Sequence, residues 1–344
     1  MTHLARYATL ATAAVAALAS LTSAAIAQTR TLDTVKQRGQ VVCGVHTGLP
    51  GFGAPDDKGV WSGLDVDYCR SIAAAVLGDS SKTKFTVTTT KDRFTALQSG
   101  EVDVLTRNTT WTISRDSSLG LSFAGINYYD GQGFMVRRSA GVKVGKELGG
   151  ATVCMLQGTT TELNAADFFR SNKLSYKPVV FEKLDEVVRA YTADRCDAFT
   201  TDASGLYSVR LQMANPADHV VLPDIISKEP LGPVVRQGDP HWFTIVKWVH
   251  FALLNAEELG VTQANVDKML ASTNPDIRRL LGKEGDFGKG LGLDNDWAYR
   301  IVKQVGNYGE IFDRNVGAGS RIKIERARNN LWTKGGLHYA PPVR

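Results

Sequence analysis

Cysteine and histidine are scarce in this chain, four and six among 344 residues. No two cysteines form a C-x-x-C pair and no histidines have ligand spacing, so neither a metal nor another cofactor is expected. G-x-S-x-G, a P-loop and H-E-x-x-H are all missing, and with them the usual signs of a serine hydrolase, a nucleoside triphosphatase or a zinc protease. The glycines of "GKGLGLD" (288–294) form no dinucleotide fingerprint, and "DVD" at 65–67 reads as helix-start chemistry rather than a metal pair. Charge of one sign is not in excess. Forty Lys and Arg are interleaved with 35 Asp and Glu, and the absence of a basic stripe argues against nucleic acid. Beyond the first 27 residues no apolar run is long enough to span a bilayer.

Those first 27 residues read as an export leader. His3 and Arg6 give a weakly basic start, "ATLATAAVAALASL" is a short apolar run, and Ala25-Ile26-Ala27 supplies an A-x-A cleavage site before Gln28. Roughly 317 residues then remain, enough for two ordinary domains. A soluble protein outside the cytoplasm is expected, and in that setting an even cysteine count favours disulfides. Four cysteines allow three pairings. Cys43–Cys69 with Cys154–Cys196 is preferred because each pair stays within one half of the chain.

After Gln28, short apolar runs alternate with amphipathic segments. "QVVCGV", "KFTVTT" and "VDVLT" read as strands, and "DVDYCRSIAAAVLG" and "DRFTALQSG" as helices between them. A second run of the same kind starts near Gly149: "ATVCMLQ", "KPVVFE" and "CDAFTT" as strands, "TTTELNAADFFRSN" and "LDEVVRAYTADR" as helices. The pattern predicts an α/β fold with mainly parallel sheets. Residues 92–108 laid over 186–202 match Ala96 with Ala190, Asp103 with Asp197 and Thr106 with Thr200. In that register Asn108 and Asp202 occupy equivalent strand tips. "YYDGQGF" (128–134) and "SKEPLGPVV" (227–235) have the glycines and prolines of crossings between two lobes. Residues 28–130 plus 232–344 would form lobe 1, and 131–231 lobe 2. The later stretch "HWFTIVKWVHFALLNAEELG", carrying His241 and His250, reads as an amphipathic core helix.

Open α/β sheets bind ligands beyond the carboxyl ends of their strands. At one such end, Arg115 can offer a planar fork to a carboxylate, with Thr110 and Asn108 adding a hydroxyl and an amide. At the other, "LQGTTTELN" ends a strand at Gly158 and opens a helix with a T-x-x-E capping box from Thr159 to Glu162. The N–H groups of that helix start favour an anion, and Thr160 adds a side chain. Asp202 is the natural acceptor for an ammonium group. Together they describe a socket for an α-amino acid held by both charged ends. An enzyme would need an acid or base free for catalysis. Asp202 is the one firm cleft acid, and the ammonium already uses it.

"GLDVDYCRSIA", "LQSGEVDVL…TWTISRD", "LQGTTTE" and "CDAFTTD", in that order, resemble the extracytoplasmic solute-binding proteins of polar amino-acid ABC transporters. "YYDGQGFMV" and the terminal "LGLDNDWAYRIVKQVGNYGEIFDRN…NNLWTKGGLHYAPPVR" resemble the general L-amino-acid-binding subgroup. The resemblance covers the whole chain after the leader. It implies a type II periplasmic binding fold, closure of two lobes around an amino acid, delivery to an inner-membrane permease and action as a monomer. It also implies Arg115 as the carboxylate arginine, Asp202 as the ammonium acid, and Thr160, Asn108 and Thr110 as polar contacts. Many relatives place an aromatic near Leu49 over the ligand; here Phe52 or Trp61 would take that part. The segment beyond about residue 285 exceeds the compact relatives. Periplasmic dehydratases acting on amino-acid-like rings share the scaffold, so a lyase of the cyclohexadienyl dehydratase kind is the alternative. A receptor that only senses amino acids is a third reading.

Overall fold

Val41–Val45 (β1) is buried at every position, as expected of a parallel strand covered on both faces. In this computed structural model, which describes residues 30–344, β1 lies inside the first of two main sheets. The expected leader, residues 1–27, lies outside the described residues. Ahead of β1 comes α1 (Thr31–Arg38). After it come a short hairpin of β2 (Ala54–Pro55) and β3 (Trp61–Ser62), then α2 (Leu64–Leu77). Gly63 before α2 has φ 135°, and a Cβ there would fall 2.1 Å from the carbonyl oxygen of Phe52, so only glycine lets the chain pass. Nearly every residue of α2 is buried, and Gly78 ends it in the left-handed conformation.

The chain continues through β4 (Thr83–Val87), α3 (Arg93–Ser99), β5 (Val104–Thr110), α4 (Ile113–Ser118), β6 (Leu121–Phe123) and β7 (Tyr128–Asp130). It crosses into β8 (Gln132–Arg137), which opens the second lobe. There follow β9 (Thr152–Leu156), α5 (Thr160–Ser171), β10 (Lys177–Phe181), α6 (Leu184–Thr192), β11 (Ala198–Asp202), α7 (Ala203–Arg210) and β12 (His219–Val221). β13 (Glu229–Arg236) brings the chain back.

The two sheets share one plan. Lobe 1 has the order β4-β1-β5-β13-β6, with β7 also on β13, and lobe 2 has β10-β9-β11-β8-β12. In each, three parallel strands meet a fourth that runs antiparallel because it arrives from the other lobe. On the return, within the 227–235 crossing, β13 pairs with β7 at Glu229 opposite Asp130. Gly131 sits in the outgoing crossing, where a Cβ would meet the Ile225 side chain at 2.3 Å and the Ser227 carbonyl at 2.8 Å.

Both expected disulfides form, Cys43–Cys69 tying β1 to α2 and Cys154–Cys196 tying β9 to the start of β11. Closing loops of 26 and 42 residues contributes about 3–4 kcal/mol each in the chain-entropy description. The helix expected around His241 and His250 is α8 (Pro240–Glu258), whose Trp242, Ile245, Val246, Val249 and Leu253 enter the lobe 1 core. His250 is buried there against the Tyr68 hydroxyl at 2.9 Å, and burial lowers its pKa to about 4. Helices α9 (Val266–Met269), α10 (Pro275–Leu280), α11 (Phe287–Gly290), α12 (Trp297–Gln304) and α13 (Tyr308–Asn315) then wrap lobe 1. The tail returns to the first crossing, where the Asn329 amide takes both backbone groups of Tyr129, at 2.7 and 3.1 Å. Among the described residues no helix is long and apolar enough to cross a membrane.

Candidate functional site

The carboxyl ends of β1, β4 and β5 face those of β9 and β11 across a narrow cleft. From lobe 1 it is lined by His46, Leu49, Thr90, Arg93, Arg107, Asn108, Thr110 and Arg115. From lobe 2 it is lined by Leu156 at the end of β9, by residues 159–161 at the α5 start, and by Leu184, Thr201, Asp202, Gly205 and Val209. Arg115 and Asp202 therefore share one cleft from opposite lobes, with Asn108, Thr110, Thr159 and Thr160 beside them. Phe52 does not join them. It lies in the lobe 1 core, 1% exposed, with its ring edge-on to Tyr128 at 5.3 Å. The tight 49–53 turn points Leu49, not the aromatic, at the cleft. Trp61 packs on Phe85 outside it.

The lobe 1 wall is cationic. Arg115 is held by Nη1 donating to the Thr110 carbonyl at 2.8 Å, and its guanidinium lies over Phe94 at 5.2 Å. Arg93 covers the same ring at 4.7 Å. Arg107 donates from Nε to the Thr88 carbonyl at 3.1 Å. All three are buried, and burial pulls each guanidinium below its usual range, Arg107 to about 10. Arg93 and Arg107 were not foreseen. Two buried donors of this wall, Thr90 Oγ1 and Arg93 Nε, have no hydrogen-bond partner, nor has the acceptor Asn108 Oδ1.

Beyond this wall stand buried acids. Asp202 is 8% exposed, and burial, with Asp130 and Glu229 nearby, raises its pKa well above the carboxylate range. Burial likewise pushes Asp130 up to about 6. Glu229, the first residue of β13 and also unforeseen, joins the lobes. Its Oε2 accepts the hydroxyls of Thr110 (2.6 Å) from lobe 1 and Thr160 (2.9 Å) from lobe 2. Its Oε1 accepts Asn164 Nδ2 (2.7 Å) and Ser227 Oγ (2.6 Å). Each threonine hydroxyl has one proton, and Glu229 takes both. The sequence places these hydroxyls near a ligand carboxylate; here both donate to Glu229 and so link the two lobes.

The expected capping box is also replaced. Thr159 turns its hydroxyl back to the Leu156 carbonyl at 2.8 Å, while Glu162 reaches the N–H of Gly158 at 2.7 Å. No side chain then caps α5 at Thr159, so its first turn keeps its partial positive charge directed at the cleft.

Two α/β lobes of matching strand order around a charged cleft define a two-lobed binding protein. Residues 41–270 match the family described as bacterial extracellular solute-binding proteins, family 3, and the chain belongs to that family. It is 62% identical over 323 residues to the general L-amino acid-binding periplasmic protein AapJ of Rhizobium johnstonii, covering 93% of this chain and 95% of the relative. It is 57% identical over 322 residues to the glutamate/glutamine/aspartate/asparagine-binding protein BztA of Rhodobacter capsulatus, covering 93% and 95%. A solved structure, described as an ABC transporter periplasmic binding protein from Brucella ovis with glutathione bound, is 63% identical. It superposes with a TM-score of 0.91 over 92% of this chain and all of that one. These relatives are binding proteins rather than enzymes, and the role of this chain is solute binding in ABC transport.

Proposed function

We propose that this protein is exported by its first 27 residues, captures free L-amino acids between its lobes as a monomer, and hands them to a membrane permease. The observation that carries this is the division of charged groups between the lobes: Arg93, Arg107 and Arg115 on the lobe 1 wall, and Asp202 facing them from lobe 2. A zwitterion neutralises both. Its carboxylate meets Arg115 and the uncapped start of α5, and its ammonium meets Asp202. Bonds of this charge-assisted kind contribute about 1.5–3 kcal/mol each, and a few together support micromolar affinity, on the order of −8 kcal/mol. Because the two walls belong to different lobes, only the closed form completes the shell, so a ligand stabilises closure by contacts the open form lacks.

The unpartnered Thr90 and Arg93 donors, with Arg107, form a corner that suits an acidic or amide side chain. The name of BztA agrees with that range, while that of AapJ covers L-amino acids in general. Glutathione presents the same zwitterion on its glutamyl end and a second carboxylate beyond it, so it belongs among the candidates.

Titration calorimetry of the mature chain with the twenty L-amino acids and glutathione tests the proposal. Glutamate, aspartate, glutamine and asparagine are expected to bind at micromolar level or tighter, and apolar amino acids more weakly. Heat from none of the twenty would overturn it.

A further inference from the structure

Asn108 has φ 28°, in the left-handed region that non-glycine residues seldom enter. It lines the cleft at the tip of β5, so this backbone kink sets how the lobe 1 wall meets a ligand. Its backbone N–H does not enter the sheet. It donates to Asp65 Oδ2 at 2.9 Å, from behind the cleft. The other oxygen, Asp65 Oδ1, accepts Asn127 Nδ2 at 3.3 Å. The Asn127 carbonyl takes the Tyr308 hydroxyl at 3.0 Å, and that hydroxyl also meets His338 Nε2 at 2.9 Å. Asp65, Asn127, Tyr308 and His338 are all at least 97% buried. A continuous hydrogen-bonded chain thus runs from the tail to the cleft, and Tyr308 and His338 lie outside residues 41–270, which match the family.

We propose that Asp65 is a positioning residue for the ligand cleft, holding Asn108 in its left-handed turn while Asn127 and Tyr308 brace it from the C-terminal segment. The chemistry of the position is specific. Both partners of Asp65 are donors, so both oxygens must accept. An amide in its place turns an NH₂ group toward one of them and leaves donor facing donor. A plain helix-start acid would act on the dipole of α2 and leave the cleft indifferent to its loss.

The inference rests on the amino-acid-binding reading for its affinity test, and a double-mutant cycle separates the two. Calorimetry with L-glutamate is run on wild type, D65N, N108G and the double variant. Glycine reaches the left-handed conformation without support. D65N should therefore weaken binding about tenfold in the wild-type background and less than threefold on N108G. Y308F, which removes one hydroxyl and keeps the ring, should cost two- to fivefold in the first background and nothing in the second, and it serves should D65N fail to fold. Equal losses on both backgrounds, or no loss in either variant, overturn the positioning role.

If wild type binds no amino acid, the functional reading fails instead. Nuclear magnetic resonance of the ligand-free protein still reads the positioning. The Asn108 amide proton should lie downfield in wild type and move upfield in D65N, and an unmoved signal contradicts the inference.

Discussion

Asp103 and Asp197 do the same work in the two lobes. Each precedes the central strand, and each accepts at 2.7 Å the N–H of a residue at the start of the neighbouring strand, Val42 in one lobe and Thr152 in the other. Ala96 and Ala190 are both buried beneath their helices. At the third matched pair the lobes begin to differ. Thr200 is bonded to the Gly133 carbonyl and to Gln132, whereas the Thr106 hydroxyl is buried without a partner. At the strand tips the difference is complete, with Asn108 beside arginines on one wall and Asp202 beside acids on the other. One scaffold thus serves twice, and opposite charge at equivalent places makes a cleft with a plus side and a minus side.

Two substitutions test how far that division governs binding. D202N keeps the shape of the anionic tip and removes its charge. L-glutamate affinity should fall roughly ten- to hundredfold, the worth of one charge-assisted bond of about 1.5–3 kcal/mol, in calorimetric titration. Affinity within twofold of wild type would mean that the minus side lies elsewhere. R93M makes a narrower cut on the plus side. If Arg93 serves ligand side chains, L-glutamate should weaken about tenfold while L-alanine changes less than twofold, by competition against the same labelled ligand. Equal weakening of both would move Arg93 to the shared carboxylate seat.

The alternation of strands and helices in the sequence anticipated both sheets, because strands buried on both faces leave continuous apolar runs between polar turns. Arg115 and Asp202 were also readable, since each stands in a polar cluster directly after such a run. Glu229 was not, because its four donors come from residues 110, 160, 164 and 227, and only folding gathers them. Arg107 did leave a signal, a guanidinium two residues past the apolar start of β5, beside Asn108 and the threonines. So did Arg93, which shares the buried face of α3 with Ala96 and Leu97. Phe52 misled because an aromatic near a cleft is as well used in the core. The Thr159 box failed because a hydroxyl can bond backward to a carbonyl as readily as forward to an N–H.

Calorimetry with L-glutamate beside two analogues of its own chain tests the central claim without altering the protein. Glutarate lacks the α-ammonium group and γ-aminobutyrate lacks the α-carboxylate. If the ligand is gripped by both charges from opposite lobes, each analogue binds at least a hundredfold more weakly than L-glutamate. If either binds within threefold of it, one wall suffices and the account is contradicted.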